Sequence, residues 1–119
     1  MSMVEREAFD RGDVIWHPGL FKTSGRPWLV LSTDNHPFHG EEYLVVGITT
    51  TPRPAAIELS TTAWEIGGLP KDSYVSPWFV TTIKHSDIEQ GIGRVSADAC
   101  TTILQDVRDY FKQESTPSR

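Results

Sequence analysis

The chain has 119 residues, of which 38% are hydrophobic and 23% charged, and its net charge is −5. This length supports one domain with a single modest core, and the composition excludes a disordered or fibrous chain. The acidic balance argues against a surface that attracts nucleic acid everywhere, although it leaves room for a local basic site.

The sequence contains no apolar run near the roughly 20 residues that cross a bilayer, and its N-terminus lacks the apolar centre of a secretory signal. We therefore expect a soluble protein located in the cytoplasm, with no membrane partner. A single cysteine, Cys100, excludes an intrachain disulfide and a cysteine-based zinc cage. Its place on an apolar helix face predicts a buried, small hydrophobic residue without a catalytic role.

Five short runs of aliphatic and aromatic residues, separated by turn residues, predict five strands. In chain order they cover residues 14–16, 28–33, 43–49, 56–59 and 73–83. Proline cannot donate a ladder hydrogen bond, so Pro27 fits the start of the second strand and Pro77 indicates an edge or a bulge in the last.

The clearest element follows the strands. Ser96 is a predicted N-cap, and apolar residues recur after it at intervals of three and four, which is typical of an amphipathic helix. These residues are Cys100, Ile103, Leu104, Val107, Tyr110 and Phe111. Strands followed by one helix predict a mostly β fold, a small barrel or half-barrel, over residues 12–112. Residues 1–11 and 113–119 are polar and predicted to be flexible.

Four segments, in this order and at this spacing, resemble the MazF/PemK family of toxins from toxin-antitoxin systems. They are GDVIW at 12–16, GRPWLVLS at 25–32, VGITT at 46–50 and GLPKDS at 68–73. The resemblance implies a small SH3-like barrel of about five to six strands with a C-terminal α-helix, as in CcdB and MazF. It also implies a growth inhibitor that forms a homodimer, cleaves single-stranded RNA without a metal, and is held in check by a cognate antitoxin protein.

The resemblance assigns catalytic positions to Arg26, before the strand-opening proline, and to Thr49, at the end of the third strand. Cleavage through the neighbouring 2′-hydroxyl builds negative charge on a five-coordinate phosphorus, which a guanidinium can stabilise through two directed hydrogen bonds. Thr49 would orient a phosphate oxygen. Arginine is a poor proton acceptor, so His17, at the end of the first strand, is the candidate base.

Further RNA contacts are predicted at Thr50, Lys22 and Lys84, and at an aromatic pair on the last strand. Where the family has an acidic-Gln-Ile-Arg stretch, this chain has WFVT at 78–81, so Trp78 or Phe79 can stack on bases instead. Strand alternation allows at most one of the two rings to face the groove. The segment 18–25 is shorter than in the family and lacks the carboxylate usually found there.

Two other functions are open to this sequence. The missing carboxylate and the aromatic replacements leave open a MazF-like domain that binds RNA or a protein partner without cleaving. A CcdB-type gyrase poison is disfavoured because the chain ends without small and aromatic residues. His36 and His39 share a loop, but two histidines without well-placed carboxylates do not predict a metal site. We expect neither a metal nor another cofactor.

Overall fold

The computed structural model describes residues 7–19 and 25–113 of the chain. Seven strands, two short 3₁₀ helices and one α-helix lie within these residues. The strands are β1 (Asp13–His17), β2 (Arg26–Val30), β3 (Glu42–Thr49), β4 (Ile57–Glu58), β5 (Trp64–Gly67), β6 (Tyr74–Lys84) and β7 (Gln90–Val95). The 3₁₀ helices span Thr61–Ala63 and His85–Asp87, and helix α1 spans Ala97–Asp109.

All seven strands form one antiparallel sheet in the order β4-β6-β3-β2-β1-β7-β5. Side chains alternate between its two faces, and both faces carry a core because successive residues of β1, such as Val14 and Ile15, are both fully buried. Val14 belongs to the core beneath helix α1, which also contains Ile103. Ile15 belongs to the core of the opposite face, with Trp28.

Helix α1 begins as its sequence predicts. The Ser96 hydroxyl accepts a hydrogen bond of 3.2 Å from the backbone N–H of Ala99, which satisfies one of the free donors of the first turn. Cys100 is buried beneath the helix, as predicted. The predicted apolar face extends too far, however, because the helix ends at Asp109 and the side chains of Tyr110 and Phe111 are exposed.

Strand β6 is interrupted by the bulge that Pro77 predicts. Val46 of β3 pairs with Val80, but the next residue, Gly47, pairs with Ser76. Three residues of β6, 77–79, therefore lie between consecutive partners on β3. Pro77 is fully buried in this bulge, where its missing N–H costs no ladder hydrogen bond.

The predicted fold class is confirmed: a curled, mostly β structure with one C-terminal helix. Strands β5 and β7 are absent from the prediction, and they raise the strand number from the expected five or six to seven. Both contain glycine, which weakens a strand pattern in the sequence. Gly93 of β7 is required here because a Cβ atom would lie 2.9 Å from the ring of Trp64.

The described part of the N-terminal segment contacts the sheet. The backbone N–H of Phe9 donates to the Tyr43 hydroxyl at 3.1 Å, and Arg11 Nε donates to the carbonyl of Leu31 at 2.6 Å. The expectation that residues 1–11 and 113–119 are flexible stays a prediction. No helix within the described residues is long and apolar enough to cross a membrane.

Candidate functional site

The pairing of β2 with its two neighbouring strands, β1 and β3, determines the position of Arg26. Arg26 pairs with His17 across the β1–β2 ladder. On the other side, Trp28 pairs with Gly47, and extending that register by two residues sets Arg26 beside Thr49. The two residues that the family resemblance assigns to catalysis are thus neighbours because the regular antiparallel ladder aligns them.

Gly25, the residue before Arg26, determines how the chain enters strand β2. A Cβ atom on Gly25 would lie 2.5 Å from the indole nitrogen of Trp16 and 2.8 Å from the carbonyl oxygen of His17. Only glycine leaves room for the Trp16 ring to pack against the backbone at this point. This packing holds the strand that carries Arg26 against β1.

A cavity of about 440 Å³ opens beside these residues. We call it the threonine cavity. Its two cationic side chains are Arg26 and Lys71, and no carboxylate is among the described residues that line it. The chain is acidic as a whole, so this is a local site suited to an anion. Its lining includes Trp16, Arg26, Thr49, Thr50, Leu69 and Lys71.

The hydroxyl of Thr49 is already oriented. Its Oγ1 accepts a hydrogen bond of 3.1 Å from the backbone N–H of Thr51, which forms a local turn just after β3. The oxygen is occupied as an acceptor on that side, and the hydroxyl hydrogen is left for another acceptor. Thr49 is therefore suited to donate a hydrogen bond to an anionic oxygen in the threonine cavity.

A second cavity, of about 740 Å³, lies on the other side of Arg26. We call it the aromatic cavity, and its lining includes His17, Arg26, Trp28, Phe79 and Lys84, together with Glu42 and Asp87. Among the described residues, Arg26 is the one that the linings of the two cavities share.

Two rings stand beside the guanidinium of Arg26 in the aromatic cavity. Its Cζ lies 5.8 Å from the centroid of Trp28 and 6.0 Å from that of Phe79, both at cation–π distance. The rings also contact each other edge to face, with centroids 5.1 Å apart. The guanidinium is thus held at the boundary between the cavities.

His17 lines the aromatic cavity, and a hydrogen bond determines which nitrogen carries the proton when the ring is neutral. The backbone N–H of Gly19 donates to His17 Nδ1 at 3.0 Å, so Nδ1 is an acceptor and the proton of the neutral ring is on Nε2. In this form Nε2 donates a hydrogen bond. The ring must give up the contact with Gly19 before Nδ1 can accept a proton as a general base.

The remaining predicted contacts separate into three groups. Thr50 lines the threonine cavity, and Phe79 and Lys84 line the aromatic cavity. Trp78 lies elsewhere, in a groove with Tyr110 and with Arg53, whose guanidinium is 5.1 Å from its ring centroid. Lys22 falls outside the described residues. The functional roles of all these residues stay predictions.

Sequence reasoning missed Lys71. It lies in the segment GLPKDS, which carries part of the family resemblance, yet no role was assigned to it. The structure brings this segment to the threonine cavity, whose lining includes Leu69 and Lys71 together with Thr49 and Thr50. A lysine inside a motif that otherwise consists of turn residues was the available signal.

The loop histidines do not form a metal cluster with their neighbours. His39 Nε2 lies 3.6 Å from a carboxylate oxygen of Asp10, and the His39 ring packs edge to face on Tyr43. Among the described residues, no three histidine, cysteine or acidic side chains come together in a way that would hold a metal.

Comparison with known proteins extends over nearly the whole chain. Residues 10–111 match the family described as PemK-like, MazF-like toxin of type II toxin-antitoxin system. A search of curated protein sequences found no match.

Several solved structures share the fold. The Mycobacterium tuberculosis toxin MazF-mt6 is 28% identical, with a TM-score of 0.66 over 87% of this chain and 99% of that chain. A chain of the MazE-MazF crystal structure from Deinococcus radiodurans gives a TM-score of 0.70 at 15% identity, over 92% and 100% of the two chains. An endoribonuclease in complex with its cognate antitoxin from a mycobacterial species gives 0.64 at 19%, over 87% and 91%. The chain belongs to the PemK-like, MazF-like toxins of type II toxin-antitoxin systems.

Proposed function

We propose that this toxin is an endoribonuclease that cleaves single-stranded RNA without a metal cofactor. The observation that carries the proposal is the threonine cavity, in which Arg26, Thr49 and Lys71 surround a space and no described residue of the lining is a carboxylate. Such a lining favours a phosphodiester over a cationic or apolar ligand. Support also comes from the family and from a relative that is described as an endoribonuclease.

The proposed reaction uses the 2′-hydroxyl of the substrate itself. The 2′-oxygen bonds to the adjacent phosphorus, the bond from phosphorus to the 5′-oxygen breaks, and the products are a 2′,3′-cyclic phosphate and a 5′-hydroxyl. The 2′-hydroxyl loses a proton and the 5′-oxygen gains one. Arg26 donates two hydrogen bonds to the phosphoryl oxygens as charge develops, and Thr49 donates one.

His17 is the candidate for the proton transfer. Because Nδ1 accepts the hydrogen bond from Gly19, deprotonation of the 2′-hydroxyl by Nδ1 of His17 requires that this contact open. The His17→Ala variant tests the assignment. A lower cleavage rate with a changed pH profile is expected, and an unchanged rate and profile would remove His17 from the mechanism.

The proposed partners are single-stranded RNA, a cognate antitoxin and a second copy of the chain. An antitoxin accompanies the mycobacterial endoribonuclease with the same fold. For this chain, co-expression with the product of a neighbouring small reading frame should suppress its toxicity and yield a stable complex. Sedimentation of the purified toxin should give the mass of a dimer, and the mass of one 13.4 kDa chain would contradict the homodimer.

The central experiment incubates the purified protein with unstructured RNA in the presence of a metal chelator and examines the fragment ends. Wild type should give fragments with cyclic phosphate and 5′-hydroxyl ends, and Arg26→Ala should not. Arg108→Ala is the matched control, because Arg108 is exposed on helix α1 away from both cavities. RNA that stays intact from low to molar salt would reject the enzyme.

A second function is favoured by one specific observation. The described lining of the threonine cavity contains neither a carboxylate nor an imidazole, so no proton acceptor lies within it, and His17 lines the aromatic cavity instead. This arrangement suits a domain that binds RNA or a protein partner without cleaving it. Binding of RNA by wild type, weakened in Arg26→Ala and without any fragments, would establish this alternative.

A further inference from the structure

The two cavities beside Arg26 differ in charge. In the threonine cavity Arg26 and Lys71 face no described carboxylate. In the aromatic cavity the cations Arg26 and Lys84 are balanced by Glu42 and Asp87. A phosphate is favoured where the charge is positive alone, whereas a neutral group is favoured where positive and negative side chains offset one another.

Phe79 gives the aromatic cavity an exposed ring. Its side chain is 43% exposed although it contacts Trp28, which is almost completely buried. One edge of the Phe79 ring is therefore fixed inside the protein while a large part of its surface faces the cavity. A fixed and exposed aromatic ring beside a phosphate-binding arginine is a suitable platform for a nucleobase.

The position of this ring depends on the backbone beneath it. A Cβ atom on Gly47 would lie 2.9 Å from Cδ2 of Phe79, so the ring packs directly over the glycine. The position of the ring also depends on the bulge of β6, because the bulge takes residues 77–79 out of the regular pairing with β3. Gly47, Trp28 and the bulge together hold the ring next to the guanidinium of Arg26.

We propose, on the basis of the ribonuclease function above, that Phe79 and Trp28 form a base-stacking subsite for single-stranded RNA. The phosphate held by Arg26 lies at the boundary, the ribose-phosphate backbone enters the threonine cavity, and the base on one side of that phosphate stacks on Phe79. The strand crosses from one cavity to the other over Arg26, the residue that both linings share.

Stacking on a phenylalanine ring needs no particular base, because every base has a π face. The subsite therefore strengthens binding of the strand and helps to position it, and it adds little preference for base sequence. It also favours single strands, since a base in a duplex is not free to leave its neighbours and stack on the protein.

The first test measures binding of a 2′-O-methyl oligoadenylate, which lacks the attacking hydroxyl, by fluorescence anisotropy. Phe79→Leu keeps an apolar side chain and removes the ring, and should weaken binding roughly tenfold. Phe79→Tyr keeps the ring and should bind like wild type. Phe111→Leu is the matched control, because Phe111 is an exposed ring just after helix α1 and lines neither cavity.

The results separate the two proposals. Binding that is equal in Phe79→Leu and wild type, or equally weakened in Phe111→Leu, would overturn the subsite while leaving the ribonuclease in place. A wild type that neither binds nor cleaves RNA would overturn both.

The second test uses the wild-type protein alone, so it does not depend on how a variant folds. A 2′-O-methyl oligonucleotide that contains 2-aminopurine should lose fluorescence on binding, because this base loses fluorescence when it stacks and the subsite accepts a base in any register of the strand. Fluorescence that is unchanged by binding at every position of the label would overturn the subsite. With a cleavable RNA, an abasic residue beside the cut bond should slow wild type and have no further effect in Phe79→Leu, and additive losses would contradict the proposal.

Discussion

The threonine cavity and the aromatic cavity meet at Arg26, but different features of the chain build them. The threonine cavity follows from a regular ladder: β2 and β3 pair from Trp28 to Val30, continuing that register by two residues aligns Arg26 with Thr49, and both residues line the cavity. The aromatic cavity follows from an irregularity, the bulge of β6 that carries Phe79. Regular pairing fixes the residues proposed for the chemistry, whereas the bulge supplies the surface proposed to hold the substrate.

The two cavities also differ in how substitutions should act on them. Side chains in the threonine cavity contribute donors to a charge, so their loss should reduce the cleavage rate more than the affinity. Side chains in the aromatic cavity contribute contact area, so their loss should reduce the affinity more than the rate. This difference between effects on rate and effects on affinity can be tested with variants in one cavity, in both cavities or in neither.

Arg26 belongs to both cavities, and its substitution should have the largest effect. Arg26→Ala is expected to lower kcat about 100- to 1000-fold and to weaken RNA binding as well, because it removes both the charge and the paired donors. Arg26→Lys keeps the charge but not the planar fork, so binding should recover more than kcat does. Single-turnover cleavage and anisotropy give the two quantities. Equal recovery of both would contradict a directed, two-bond contact.

Thr49 belongs to the threonine cavity alone. Thr49→Val removes the hydroxyl at nearly constant volume and should lower kcat about tenfold, which is the size expected for one hydrogen bond to a charged group. The affinity for RNA should change little. Thr49→Ser keeps the donor and should stay close to wild type. A loss of affinity without a loss of rate in Thr49→Val would place this hydroxyl in substrate binding.

The origin of the two cavities explains how much of the site the sequence could predict. Arg26 and Thr49 were assigned through the family resemblance, carried by the segments GRPWLVLS and VGITT, and each lies at the end of a strand that the sequence predicts. The helix start was predicted for a similar reason, since Ser96 caps it locally. Patterns that act over a few residues are visible in the sequence.

Features that depend on packing between residues far apart in the chain could not be predicted from the sequence. Which face of the sheet Trp78 and Phe79 point to depends on how many residues the bulge contains. That number depends on the pairing of β6 with β3. Strand β7 was missed because Gly91 and Gly93 weaken its pattern, although Gly93 makes room for a ring from β5. The helix was extended to Phe111 because periodicity does not reveal whether a surface is present for the last turn to cover.

Gly47 tests the aromatic cavity through the backbone. Gly47→Ala puts a methyl group 2.9 Å from the Phe79 ring, so the ring must move away from Arg26. We expect a loss of about 1–3 kcal/mol in the free energy of unfolding from the crowding, and RNA binding weakened several-fold with kcat nearly unchanged. Gly68→Ala is the matched control, because a Cβ there meets no atom within 4 Å. Unchanged RNA affinity in stable, folded Gly47→Ala would show that the ring position does not matter.

Cys100 lies in neither cavity and should have the smallest effect on RNA. Burial raises the pKa of its thiol, so the folded protein retains the proton at a pH where the unfolded chain has begun to lose it. The unfolded state then binds fewer protons, and the free energy of unfolding should fall above about pH 8.5, by at most about 1.4 kcal/mol per pH unit from this group. Cys100→Ala should cleave RNA like wild type and lack this component. Denaturant titrations of both proteins between pH 7 and 10 measure it, and parallel curves would mean that the thiol ionises equally in the folded and unfolded states.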